Sequence, residues 1–400
     1  MKVFKTNKIA FFVHRTRGAA MDSRLRKMIT TLSNNGIPCR GLLWQKNNKN
    51  FNYKYNELSW LTVHSLWFYS RKEPKGSWPI HIFEIIQETI FAFFKIFIYR
   101  PSWIIIQNHR YFLLAALMII IYRPLYGSRI VWDLRELPNG FMKGYVAKYI
   151  FSKIIFNCNS SIVANVERYK YMVSIYGKRA MSSTMVVPNY ESISFIDKPY
   201  ANLNYKLKKF LKGRRYIYLQ NPIGKDRLLL EVVSAIFQLT DMVLVVTGNV
   251  PNELLNDIYS KFDSDKVAKS VYFTGLVPEI NLLEYIDNAY AAIVVYKKNK
   301  KNNELAEPNK LYQSIARGTP VIVGINDSIS KVVKKTKGGV VLIDDGSSVQ
   351  SISDGITELI NNYELYKKNS IKNRGVYSWE KNEDVLCKVV TGSGDCQPKL

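Results

Sequence analysis

The stretch Glu307–Val323, EPNKLYQSIARGTPVIV, decides the reading of this 400-residue chain. It opens with an acid, a proline and a polar pair, and carries Leu311, Ile315 and Ala316 at helical spacing. It stops at Gly318 and enters the apolar run Pro320–Val323. The pattern predicts a loop, a helix N-terminus, a short helix, a glycine stop and a buried strand. Such a helix start turns free N–H groups and the positive end of a dipole toward whatever lies in front of it, which suits phosphate. Many βαβ units use the same order for packing alone, so the segment has to be read with its neighbours.

Outward from it, strand and helix patterns alternate along the chain. Lys8–Val13 is a strand-length apolar run; after it come a glycine loop, a helix with Leu25, Met28, Ile29 and Leu32 on one stripe, and the strand pattern IPCRGLLW. This is the opening of a doubly wound parallel sheet, in which ligands bind beyond the carboxyl ends of the strands, so His14–Asp22 is expected to line a cleft. Trp103–Gln107, ending at Asn108-His109, and Arg129–Trp132, followed by DLRELPNG, are further strands. Ile162–Ala164 and Val186–Val187 complete the first series, and residues 188–210 are polar and irregular enough for a linker. A second series begins at Tyr216–Leu219 and continues through Val243–Gly248 and Val271–Gly275, the last two each closed by glycine.

PNKLYQSIARGTPVIV resembles the "PNKLYEYMAAGKPVI" segment of family-4, retaining glycosyltransferases of the GT-B fold, which act in bacterial surface polysaccharide biosynthesis. VPEINLLEYIDNA followed by AAIVVY is similar to that family's "v-p-x-x-x-l-x-x-y-l-x-x-A-d-v" stretch, and the likeness extends over nearly the whole chain. The resemblance implies an α/β GT-B architecture of two doubly wound, Rossmann-like domains facing each other across a cleft. The acceptor domain would span 1–187 and the nucleotide-sugar domain 188–375, with 376–400 holding a helix that crosses back to the first domain and a tail. Gly18 and Asp22 match the family's glycine loop and following helix, which face the donor sugar and the acceptor. His109 corresponds to a histidine set against the donor sugar, with a catalytic share. Asp133 and Glu136 correspond to the acids of "y-D-x-H-E", with Arg135 at the usual histidine, and are candidates for the acceptor side. Lys225 and Arg227 are the candidates for the basic residue on the donor diphosphate, Arg227 the better placed. Gly248, Glu307, Asn309, Lys310, Leu311 and Gln313 complete the expected donor site. The family usually has two glutamates eight apart here; the second corresponds to Gln313 and the first to Leu305, between Glu304 and Glu307. Gln313 can still bond ribose hydroxyls but supplies no charge, which leaves altered donor preference, weak activity or a non-catalytic scaffold as alternatives; a nucleotide-sugar epimerase on the same fold is a further one, against which the basic, aromatic acceptor domain argues.

The length suits two domains of roughly 180 residues. The net charge is +25, and residues 1–187 carry 28 Lys and Arg against 8 Asp and Glu, the remainder 29 against 24. A basic field confined to one half favours an anionic partner there. An anionic membrane surface or a phosphate-linked acceptor is expected, and no nucleic acid, because no zinc-ligand set or nucleic-acid motif accompanies the charge. Cys39, Cys158, Cys387 and Cys396 are scattered without CxxC spacing, and the N-terminal apolar run is too short for a signal peptide, so a cytoplasmic location on the inner membrane face is expected. Ile80–Tyr99 contains Glu84, Glu88 and Lys95, and Tyr111–Tyr122 is short, so both predict core helices or, for the aromatic and basic WPIHIFEIIQETIFAFFKIFIYR, partly a surface lying on a bilayer, rather than membrane spans. No GxGxxG follows a strand, which argues against a dinucleotide oxidoreductase. No metal or cofactor is expected, since Asp344-Asp345 lacks the setting of metal-dependent sugar transferases. The expected partners are a nucleotide diphosphate sugar as donor and a glycan or polyprenyl-phosphate-linked acceptor, for a product such as O-antigen or capsule.

Overall fold

The protein is described by a computed structural model over residues 4–15, 22–45, 61–65, 78–137, 144–239 and 241–392. The chain forms two compact units, Met1–Asn189 with Lys381–Leu400, and Tyr190–Glu380.

The first unit is built on β1 (Asn7–Arg15), β2 (Cys39–Gln45), β3 (Leu61–Ser65), β4 (Pro101–Gln107), β5 (Arg129–Leu134), β6 (Ser160–Val163) and β7 (Thr184–Val186). They lie in the order β3-β2-β1-β4-β5-β6-β7 with every pairing parallel. Ala10–Val13, Ile104–Ile106 and Ile130–Trp132 are buried without interruption, because a parallel sheet is covered by helices on both faces. The strand order reverses between β1 and β4, where a doubly wound sheet opens a crevice beyond its strand ends. Helix α1 (Ser23–Asn34) starts at Asp22, whose carboxylate accepts the Leu25 amide at 3.1 Å. Helix α2 spans Trp78–Tyr99. The helix Glu383–Thr391 belongs to this unit: Thr31 of α1 donates to Glu383 at 2.7 Å, and Leu386, Cys387, Val389 and Val390 are buried.

Two local features depart from the sequence pattern. Leu61–Ser65 forms a strand at the sheet edge, where an alternating LTVHS gives little apolar signal. The expected single helix over Tyr111–Tyr122 is a 3-10 turn at His109–Tyr111, an α-helix at Phe112–Leu117, a π-turn at Met118–Tyr122 and a short α-helix at Arg123–Tyr126. Pro124 has no N–H to close a regular turn onto the residues before it, which favours the wider one.

The second unit repeats the plan with β8 (Arg215–Gln220), β9 (Met242–Thr247), β10 (Val271–Phe273), β11 (Ala291–Val294), β12 (Val321–Val323) and β13 (Gly339–Val341), in the order β10-β9-β8-β11-β12-β13, all parallel. Alternate residues feed two cores: Tyr216, Tyr218, Val243 and Val245 on one side, Ile217, Leu219, Leu244 and Val246 on the other. The segment expected to be a linker is part of this core. Phe195, Ile196 and Leu207 are buried. The fully buried Arg317 donates to the carbonyls of Phe195, Ile196, Lys198 and Pro199 and pairs with Asp287 at 2.6 Å. Polar composition misleads here because a guanidinium satisfies the irregular backbone.

Candidate functional site

In the second unit the strand ends of β8 and β11 and the helix Asn309–Ala316 converge on one ring. Pro308 precedes that helix in extended conformation without a side-chain cap, a start that φ-restricted proline suits. Burial on the apolar stripe of Leu311 and Ile315 holds the helix against the sheet and carries Lys310 inward. The Lys310 ammonium donates to the Gln220 carbonyl at 3.0 Å and lies 5.0 Å from the Tyr296 ring centroid. The Arg227 guanidinium lies 4.0 Å from the same centroid and donates to Asn303 Oδ1 at 3.2 Å. Asn303 in turn donates to Asp226 at 2.9 Å and to the Lys297 carbonyl at 3.2 Å, stapling the turn that carries Arg227 to the loop after β11. Burial, reinforced by the charge of Arg227 and opposed by Asp226, pushes the Lys310 ammonium down to about 7. Two basic side chains against one aromatic ring, only partly offset by one acid, concentrate positive potential at the strand ends. Beside them Gln313 is buried with Oε1 lacking a partner, an acceptor positioned for a donor group. Glu307 accepts the Tyr312 hydroxyl at 2.5 Å, and Tyr312 packs against Tyr190 and Tyr377.

In the first unit the ends of β1, β4 and β5 carry a second polar cluster. Asn108 takes a left-handed φ of 79°, donates its amide to the Asp133 carbonyl at 2.8 Å and caps the turn that begins at His109. A non-glycine residue held there is strain that the surroundings over-determine. His109 is buried with Nδ1 lacking a partner; burial lowers its pKa, against the raising influence of Glu136. His14, at the end of β1, is likewise buried with an unpartnered Nδ1, and burial together with Arg135 pushes it down to about 4. The Asp133 carboxylate is fully buried and taken from both sides by Arg24, with Nε and Nη2 each at 3.1 Å, while Gln107 donates to it at 3.3 Å. Asp22 receives Arg135 at 2.5 Å; burial alone would raise its carboxyl, but Arg135 and His14 hold it well below the usual carboxylate range.

Residues 221–362 match the family described as Glycosyl transferases group 1. Along nearly its whole length the chain superposes on solved structures at low sequence identity. One is HepE from Anabaena in complex with UDP and glucose: TM-score 0.67, 10% identity, 96% of this chain and 100% of that one. Another is sucrose-phosphate synthase from Thermosynechococcus elongatus: TM-score 0.72, 12% identity, 95% and 98%. A third is the catalytic domain of Starch Synthase IV from Arabidopsis thaliana bound to ADP and acarbose: TM-score 0.68, 10% identity, 98% and 100%. The fold is that of the GT-B glycosyltransferases. No curated protein matches the chain in sequence.

Within this GT-B chain several expected site residues serve other purposes. Leu311 is wholly in the core, so its side chain packs rather than binds. The Gly248 amide donates to the Gly275 carbonyl at 2.8 Å, and a Cβ there would lie 2.9 Å from Asn221 Cα. The close approach at Gly248 is therefore to backbone of its own unit. Lys225 is exposed and pairs with Glu253 at 3.2 Å and Asp257 at 2.8 Å, apart from the Arg227–Lys310 pair. Asp133 has its oxygens occupied by Arg24, which makes it a holder of the strand ends rather than a free acceptor for a hydroxyl. Glu136 remains beside His109, and Asn309 opens the helix next to Lys310. Asp344 and Asp345 accept amides of their own turn and of Lys298. Gly18 lies outside the described residues. Sequence reading missed Tyr296, Asn303 and Asp226, which carry no motif of their own. His14 stands at a strand end just as His109 does, and that signal could have singled it out.

Proposed function

We propose that the protein transfers a sugar from a nucleotide diphosphate sugar to a glycan or polyprenyl-phosphate-linked acceptor in cell-surface polysaccharide synthesis, with retention of anomeric configuration. The observation that carries this is the pair Lys310 and Arg227 set against Tyr296 at the start of the Asn309–Ala316 helix. A diphosphate bound there gains two cations and a helix start, and these also stabilise the charge that grows on it as the glycosidic bond breaks. HepE with UDP and glucose supports a nucleotide-sugar donor on this fold. The orphaned Gln313 Oε1 would accept from a ribose hydroxyl. The acceptor hydroxyl attacks the anomeric carbon on the face the diphosphate leaves, and its proton passes to a phosphate oxygen; no metal is required in this scheme. The first unit, basic and bearing the neutral His14 and His109, would bind the acceptor.

The test is a thermal-shift panel of UDP-, GDP-, ADP- and CMP-linked sugars. One nucleotide should raise the melting temperature of the wild type and leave Lys310→Met unshifted; a flat response across the panel would sink the proposal. A second reading, a GT-B scaffold without turnover, is favoured by Gln313 standing where the family has a glutamate. Turnover of the matching nucleotide sugar by wild type and by Gln313→Glu decides between them, since only the scaffold reading predicts activity confined to the variant or absent from both.

A further inference from the structure

Helix α2 buries its acids together with Ala92 and Ile96 and leaves a second apolar row exposed. A surface helix normally buries its apolar stripe and shows its charges to water. Here Glu84 and Glu88 are fully buried, each bonded to Arg15 at 2.9 Å and to Arg110 at 2.9 Å and 3.2 Å respectively. The opposite row, Ile82, Ile86, Ile90, Phe94 and Ile98, together with Phe83, faces outward, with Phe94 62% and Ile98 68% exposed. The Phe112–Leu117 helix packs against both α2 and the Tyr145–Asn157 helix, so the three lie side by side. The last adds Tyr145, 87% exposed, with Val146, Tyr149 and Ile150, and the π-turn between adds Ile120. This apolar and aromatic face is far larger than isolated surface residues produce, and such patches mark interaction sites.

The charge around it identifies the partner. Lys95, Arg100, Arg123, Lys148 and Lys153 stand on these three segments and the residues joining them. Among the described residues between 78 and 157 the acids are Glu84, Glu88, Asp133 and Glu136; the first three are fully buried and Glu136 sits beside His109. A second copy of this face would meet it positive against positive, which disfavours a two-fold dimer. Large apolar side chains, tyrosines and lysines without acids are what the headgroup region of an anionic bilayer accepts.

We propose that the face formed by α2, the Met118–Tyr122 turn and the Tyr145–Asn157 helix inserts shallowly into an anionic phospholipid surface, and that burying Glu84 and Glu88 keeps that face free of negative charge. This does not depend on the sugar-transfer reading. The test is flotation of the full chain with vesicles of phosphatidylcholine alone and of phosphatidylcholine with phosphatidylglycerol, both free of polyprenyl lipids, at low and high salt. The wild type should float with the anionic vesicles, less at high salt and little with neutral ones. Phe94→Glu with Ile98→Glu, and separately Lys148→Glu with Lys153→Glu, should each weaken binding about tenfold or more. Both variants should retain the wild-type circular dichroism and melting temperature, since these side chains are exposed or partly so, and the donor-induced thermal shift should be unaltered. Ile343→Glu, an exposed position in the other unit, should float as the wild type does. Absence of wild-type flotation, unchanged flotation of both double variants, or a concentration-dependent dimer abolished by Phe94→Glu with Ile98→Glu would each overturn the proposal.

Discussion

Lys310 shows how much a single buried cation can report. Its pKa falls from 10.5 to about 7, so between those values the folded chain has released a proton that the unfolded chain retains. The unfolded state binds more protons there, and this residue's contribution makes stability rise with pH from about 7 to 10.5. Lys310→Met should flatten that part of a urea-denaturation pH series. A bound diphosphate restores the charge, so the matching nucleotide sugar should bind with uptake of roughly one proton at pH 8, and its affinity should fall by up to about tenfold per pH unit above 7. Calorimetry in buffers of different ionisation heat reads the uptake, and Lys310→Met should abolish it. His14 acts with the same sign in a lower window: its pKa is lowered to about 4, so stability is fully present above 6.5 and is lost as pH falls toward 4, roughly 3 kcal/mol in all. Asp133→Asn should cost about 3–5 kcal/mol because it leaves the Arg24 guanidinium buried without its charge partner. At this scale the site was partly legible. Lys310 and Arg227 belong to motifs, whereas Tyr296 and Asn303 matter only because β11 and its loop bring them there.

At the scale of elements, the strands were readable wherever both faces are covered, since a buried parallel strand is a continuous apolar run. The edge strand Leu61–Ser65 and the core segment around Phe195 were not, because their partners are backbone groups and one distant arginine rather than a local pattern. Gly248 is informative for the same reason: at φ 105°, with Asn221 packed against it, it locks the ends of β8 and β9 together. Gly248→Ala should destabilise the chain by about 1–3 kcal/mol in urea denaturation, and it should weaken nucleotide-sugar binding only as far as the Gln220 carbonyl that holds Lys310 is displaced.

For the whole molecule, the division at Asn189 and Glu380 makes the first unit discontinuous: its last helix comes from the far end of the chain. A chain cut after Glu380 loses Leu386, Cys387, Val389 and Val390 from that core. Calorimetry should show one transition moved to lower temperature while the transition raised by nucleotide sugar stays in place; a common shift of both would contradict independent cores. By itself the sequence determined two doubly wound sheets, a diphosphate-suited helix start at Asn309 and a basic first half, because apolar periodicity, glycine and proline positions and net charge are local or additive properties. Only the tertiary structure decided which cations share a ring, which carboxylates are already taken, and that α2 turns its acids inward while Phe83, Phe94 and a row of isoleucines face out. Those outcomes depend on which side chains distant strands and helices bring within a few ångströms, and no spacing along the chain encodes them.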